Sequence, residues 1–260
     1  MEIRTSRGEV TLPSIRALFV VDAEGFTRNR DADLPGMHTE IRCVIETACE
    51  RSGLAEAWKA VRFLQSTGDG VLAVLPLDAM VSLIHPFIDH LQNVLAESAR
   101  DLRARGLSLR LRVAVHYGLV DDEHPVTAGI STATNDVCRL LECEPLRAAL
   151  RDSDPDITFV AVIASSEAFE MFVRGGHTGL KPSQFTPVRA KVKQFDRPAF
   201  LYVPTPSWRE RPDDDVPPGG GSPSPAPAGG TSFGGVSITG DGAQNAFGNH
   251  VGGDFRQERS

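Results

Sequence analysis

The sequence predicts an α+β fold, with helices packed on one mainly antiparallel sheet, followed by a segment that builds no core. Three observations predict it. Up to Tyr202, apolar residues recur with alternating strand and helix periods. Those periods begin in the order β-α-β-β-α-β, the unit of ferredoxin-like folds. At Pro204 the composition breaks into "PTPSWRERPDDDVPPGGGSPSPAPAGGTSFGG", rich in Pro, Gly and Ser.

The elements follow in order. In "IRALFVVDAEGF", the run Leu18, Phe19, Val20 and Val21 reads as a buried strand. In "LPGMHTEIRCVIETACERSG", Met37, Ile41, Val44, Ile45 and Ala48 fall at helical spacing, and Gly53 can end the helix. "WKAVRFLQSTGDGVLAVLP" reads as strand, tight turn and strand, because Asp-Gly between apolar runs is hairpin chemistry. "DAMVSLIHPFIDHLQNVLAESARDLRARG" is a long amphipathic helix that Pro86 kinks or delays. "LSLRLRVAVHYG" sets Leu109, Leu111, Val113 and Val115 against Arg110, Arg112 and Ala114, as a half-buried strand does. The helical "NDVCRLLECEPLRAAL", the strand "ITFVAVI", the short helix "SSEAFEMFVRGG" and the strand pair "KVKQFDRPAFLYV" form a C-terminal α/β extension.

A chain of 260 residues with 41% hydrophobic content suits one sizeable domain plus an appendage. Residues 1–203 are the folded domain, 204–235 a disordered flexible linker, and 236–260 a separate short tail. A formal charge of −7 argues against nucleic acid held on a general basic surface, but leaves room for a local cationic pocket. No stretch approaches the roughly 20 apolar residues that cross a bilayer, and Asp22 interrupts the first apolar run, so neither a membrane span nor a signal peptide is expected. Cys43, Cys49, Cys138 and Cys143 lack CxxC spacing, which suits reduced thiols in a cytoplasm and no zinc site.

Two carboxylates stand out. Asp22 ends the first strand, and Asp69 lies in the hairpin between the second and third. In a ferredoxin-like sheet the first and third strands are neighbours, so the two side chains can share hard cations such as Mg2+ or Mn2+. Taken singly, Asp22 reads as a helix cap and Asp69 as a turn residue. His116 reads as structural, and the other histidines show no metal spacing.

"ALFVVDAEGFT", "FLQSTGDGVLAV", "LRLRVAVHYGLV", "TNDVCRL" and "KVKQFDRPAFLYV" occur in the order and rough spacing of the class III nucleotidyl (adenylate/guanylate) cyclase catalytic domain, which residues 15–203 resemble. The resemblance implies two divalent metal ions (Mg2+ or Mn2+) on Asp22 and Asp69, with the backbone of Ala23, Glu24, Gly25 and Phe26 cradling phosphates. It implies that Asn135 orients the ribose and Arg139 stabilises the α-phosphate in the transition state. Lys193 aligns with a phosphate-contacting lysine, although "VKQF" lacks the glycine that usually follows. Active sites are implied at a homodimer interface. The departures concern the base. Phe63, with Arg62 and Gln65 beside it, occupies one purine-reading position, and Gly129 the other. Phe63 reads either as a stacking platform or as an inward strand residue.

The expectation is a nucleoside triphosphate cyclised to a 3',5'-cyclic nucleotide and pyrophosphate. UTP comes first and CTP second, as in the bacterial pyrimidine cyclases of anti-phage signalling. The alternatives are an adenylate or guanylate cyclase, and a catalytically inactive scaffold or sensor working through its tail. Two facing carboxylates kept without a cation would be costly, which favours the enzyme. The tail "VSITGDGAQNAFGNHVGGDF" resembles short amyloid-like assembly motifs that a matching motif on a partner protein can template; the other reading is a disordered tail.

Overall fold

The computed structural model describes residues 13–61, 63–124 and 126–209, together with the backbone of 231–233 and 236–238. The chain divides into two compact units, Met1–Arg211 and Pro212–Ser260. Arg62 and most of the expected linker and tail lie outside the described residues.

The first unit runs β1 (Ser14–Ala23), α1 (Leu34–Arg51), α2 (Ala55–Lys59), β2 (Phe63–Ser66), β3 (Gly70–Pro76), α3 (Ala79–Ile84), α4 (Phe87–Ala104) and β4 (Leu111–Val120). It continues through α5 (Thr132–Glu142), α6 (Glu144–Arg151), β5 (Val160–Ser165), α7 (Ser166–Ala168), a π-helical turn (Phe169–Arg174), β6 (Thr186–Val192) and β7 (Phe195–Tyr202). Seven strands form one sheet in the order β2-β3-β1-β4-β5-β7-β6. Every neighbouring pair is antiparallel except β4 with β5. The first four strands thus close as a ferredoxin-like β-α-β-β-α-β core, and the rest extends the sheet on the β4 side.

Side chains alternate between two cores. Phe19, Val21, Ala73, Val113 and Val162 face α1 and α4, whose Ile41, Ile45, Phe87 and Leu91 are buried. Phe19 meets Phe87 edge-on with ring centroids 5.3 Å apart. Leu18, Val20, Leu72, Ala114 and Ile163 face the other way, against Val137, Leu140, Leu146 and Leu150 of α5 and α6. Asp22 has the parity of Leu18 and Val20, which places it on the α5–α6 side.

Two local expectations change, and the one at Pro86 is met. Trp58 and Lys59, read as leading into a strand, form the end of α2. The long helix breaks at Pro86 into α3 and α4, because proline cannot donate within a continuous helix. The alternation in "LRLRVAV" is not half-buried: α5 and α6 cover the second face, leaving Arg110 4% and Ala114 0% exposed. The compact unit also runs past the break at Pro204. The Thr158 hydroxyl donates to the Thr205 carbonyl, and the Arg209 amide donates to the Asp152 carbonyl.

In the second unit, β8 (Thr231–Phe233) and β9 (Val236–Ile238) pair antiparallel, Thr231 opposite Ile238. β8 falls within the segment read as linker.

Candidate active site

The ends of β1 and β3 bring the two aspartates together. Asp22 lies opposite Gly70 across the β1–β3 ladder, and the Ala23 amide donates to the Asp69 carbonyl at 2.9 Å. Gly70 is required by this approach: a Cβ there would overlap the Val21 carbonyl oxygen. His38 of α1 braces the turn, with Nδ1 3.0 Å from the Gly68 carbonyl and Nε2 3.3 Å from the Ser66 hydroxyl. Among the described residues, the Asp69 carboxylate accepts one side-chain hydrogen bond, from the Thr67 hydroxyl at 3.5 Å.

Asp22 is already engaged. It lies opposite Arg112 on β4, and the guanidinium grips it with two bonds, Nε–Oδ1 2.8 Å and Nη2–Oδ2 2.7 Å. Both side chains are 15% exposed. Burial nevertheless pushes the Asp22 carboxyl up to about 6; Arg112 and Arg147 oppose that shift, and the Asp69 charge adds to it.

The loop after Asp22 turns on Gly25, whose φ of 67° suits glycine, and enters a short 3-10 turn at Phe26–Arg28. Of the four amides expected to cradle phosphate, Ala23 and Glu24 are occupied, by the Asp69 and Arg110 carbonyls. Gly25 and Phe26 have no backbone acceptor among the described residues.

Beside this loop lies a pocket of ≈ 540 Å³ lined by Arg28, Arg110, Arg112, Arg147, Arg151 and Arg209, with Glu24 as its one carboxylate among the described residues. Arg110 forms its floor. Its Nε donates to the Thr158 carbonyl, Nη1 to Glu24, and Nη2 to the Leu150 carbonyl and Ser153 hydroxyl.

Asn135 belongs to a second cleft of ≈ 340 Å³, which it lines with Phe63, Gln65, Gly129 and Ser131. The Ser131 hydroxyl caps α5 by accepting from the Thr134 amide. Phe63 and Gly129, the two positions that depart from the purine pattern, meet here. Gly129 has φ 76°, and a Cβ on it would overlap the Phe63 ring. Arg139 is one turn further along α5 and partly buried. Lys193 is exposed in the β6–β7 turn with φ 54°, at the opposite edge of the sheet from Asp69. The two clefts share no lining residue.

The sequence reading missed the Arg112–Asp22 pair and the arginine pocket. The local traces were the Arg110/Arg112 alternation and the i, i+4 spacing of Arg147 and Arg151. Among the described residues no group of three or more His, Cys, Asp and Glu side chains converges. Two carboxylates are nonetheless a fitting donor set for Mg2+, which commonly takes one or two carboxylates and completes its shell with water and substrate phosphates. His116 is buried and hydrogen-bonded to the Ser165 hydroxyl at 2.8 Å, as a structural histidine. All four cysteines are free thiols, and no helix among the described residues is long and apolar enough to cross a membrane.

No family model and no curated protein matches the sequence. Among solved structures, the chain is similar to the adenylyl cyclase CyaB from P. aeruginosa (15% identity, TM-score 0.46, covering 77% of this chain and 97% of that one). It is also similar to the guanylyl cyclase domain of the RhoGC fusion protein from the aquatic fungus Blastocladiella emersonii (13%, 0.46, 76% and 97%) and to a bacterial light-regulated adenylyl cyclase (13%, 0.47, 75% and 93%).

Proposed function

We propose that the protein is a homodimeric nucleotidyl cyclase that converts a ribonucleoside triphosphate, UTP ahead of CTP, into a 3',5'-cyclic nucleotide and pyrophosphate. One observation carries the reading: Asp22 and Asp69 stand together at adjacent strand ends, beside the Gly25 loop and a strongly cationic pocket. When bound, two divalent ions make the 3'-hydroxyl a better nucleophile and offset phosphate charge. Asp22 and Asp69 hold them. The Gly25 and Phe26 amides face the phosphates, Asn135 orients the ribose, and Arg139 stabilises charge on the α-phosphate as it builds. Lys193 reaches the phosphates only from the other protomer.

The placement of Lys193, at the opposite edge of the sheet from Asp69, supports the dimer. A two-fold axis that sets the Asp22–Asp69 pair of one protomer against Asn135, Arg139 and Lys193 of its partner completes two sites. Phe63 against Gly129 supports the base. The ring fills space that a polar reader at 129 would use, and we read the remaining cleft of ≈ 340 Å³, with Gln65, Ser131 and Asn135 on its wall, as suited to a single-ring base. Cytoplasmic anti-phage signalling, with a partner protein engaged through residues 236–260, is the context we attach to this chemistry.

A second reading, a silent scaffold working through that segment, is favoured by the bidentate Arg112–Asp22 pair, which satisfies Asp22 without a metal. Incubation with Mn2+ and each of the four ribonucleoside triphosphates separates the two. The cyclase reading expects cyclic UMP as the main product, abolished by Asp69→Asn. No cyclic product from any triphosphate, or product unaffected by Asp69→Asn, contradicts it.

A further inference from the structure

The pocket beside Asp22 holds more positive charge than the reading above uses. Its six guanidiniums come from the Phe26–Arg28 turn, the start of β4, α6 and the segment after β7, in a chain whose net charge is −7. Arg110 is spent on the floor, and Arg151 is paired with Glu144 and Asp152 at the rim. Arg28, Arg147 and Arg209 make no ion pair with a carboxylate among the described residues. Arg112 serves both places: it lines the pocket while gripping Asp22.

Like charges gathered around one cavity repel one another until an anion enters. A single carboxylate satisfies one guanidinium fork. Guanidiniums spread over several elements around ≈ 540 Å³ suit an extended, multiply charged anion whose oxygens can each accept a charge-assisted bond. We propose that the pocket binds a polyphosphate chain, and that the chain draws Arg112 off Asp22, so that polyphosphate binding frees Asp22 for a cation. The first half stands on the pocket alone; the second rests on the reading of Asp22 as a cation ligand. Arg112 then acts as an internal counter-ion that keeps Asp22 neutralised until substrate-like charge arrives.

Two titrations of the metal-free full-length protein test this, each with one probe. Inorganic tripolyphosphate followed by calorimetry is expected to bind. Its affinity is expected to fall about tenfold or more in Arg147→Glu/Arg151→Glu, and similarly in about 0.5 M salt. Both arginines are exposed, so losing the Arg151 pairs with Glu144 and Asp152 is expected to lower the melting temperature by a few degrees at most and leave the variant folded. Mn2+ alone, followed by electron paramagnetic resonance, is expected to bind Arg112→Gln about fivefold or more tightly than wild type, because the competing guanidinium is gone. Equal tripolyphosphate binding by wild type and the double variant, or none by either, overturns the pocket assignment. Unchanged or weakened Mn2+ affinity in Arg112→Gln overturns the coupling. Displacement of tripolyphosphate by UTP assigns the substrate's own phosphates as the natural source, and simultaneous binding assigns a free polyphosphate. Tripolyphosphate binding without cyclic product from any triphosphate leaves the pocket standing and removes the cyclase; cyclic product without tripolyphosphate binding does the reverse.

Discussion

At Asp22, burial and Arg112 pull in opposite directions, and burial prevails, raising the carboxyl to about 6. A carboxyl whose folded pKa exceeds its free value of 3.8 binds its proton more tightly in the fold. Its contribution to stability is therefore present at low pH and lost as pH rises through about 6. In metal-free protein, the melting temperature of wild type relative to Asp22→Asn is expected to fall between about pH 4 and pH 7. Thermal melts across that range check the sign, and a wild-type advantage that grows with pH contradicts it. Phe63 and Gly129 make a second residue-scale test. Gly129→Asp drives a side chain into the Phe63 ring and is expected to cost about 1–3 kcal/mol, as overpacking does. Phe63→Ala in the same chain is expected to recover part of that loss. Denaturant titration of the two single variants and the double variant measures the coupling, and strictly additive effects contradict the contact.

Among the elements, β1 carries the site, because its two neighbours each contribute half of it. β3 brings Asp69 and β4 brings Arg112 against the same strand end. Arg110, one alternation earlier on β4's approach, ties the Glu24 loop to the α6–β5 connection through four acceptors. Arg110→Met leaves Glu24 without its cation and takes the guanidinium donor from the Thr158 carbonyl, at an expected cost of about 3–5 kcal/mol by denaturant unfolding. Arg110→Lys is expected to recover little, because an ammonium cannot reproduce the planar fork. A cost below about 1 kcal/mol for Arg110→Met would show that the network does not hold the loop.

Much of this arrangement was legible in the sequence. The run of periods places β1 next to β3, which pairs Asp22 with Asp69 on sequence alone. Alternation marked Arg110 and Arg112 as sharing a face, but period-two patterns cannot say whether a second layer covers that face. The covering helices α5 and α6 are separate, later elements, and nothing in the β4 alternation itself records them. Arg28, Arg112, Arg147 and Arg209 likewise come from separate segments, so no local motif announces their pocket. The Phe63–Gly129 contact joins two positions that looked like independent departures, and only the tertiary fold shows that they compensate each other.

For the whole molecule, the proposed shared site makes the sharpest demand: Asp69 of one protomer must act with Asn135 and Arg139 of the other. Asp69→Asn damages only the carboxylate half, and Arg139→Ala only the Asn135 half, with an expected loss of about 10²–10³-fold in kcat for the arginine. Each variant homodimer is therefore defective at both sites. A heterodimer of the two variants, however, concentrates both lesions in one site and leaves the other whole. Cyclic nucleotide formation after mixing, unfolding and refolding equal amounts of the two inactive variants is the direct measurement. Random pairing makes half the dimers mixed, each with one intact site, so about a quarter of wild-type activity is predicted to return. Activity that stays at the level of the separate variants would contradict a shared, two-metal cyclase site.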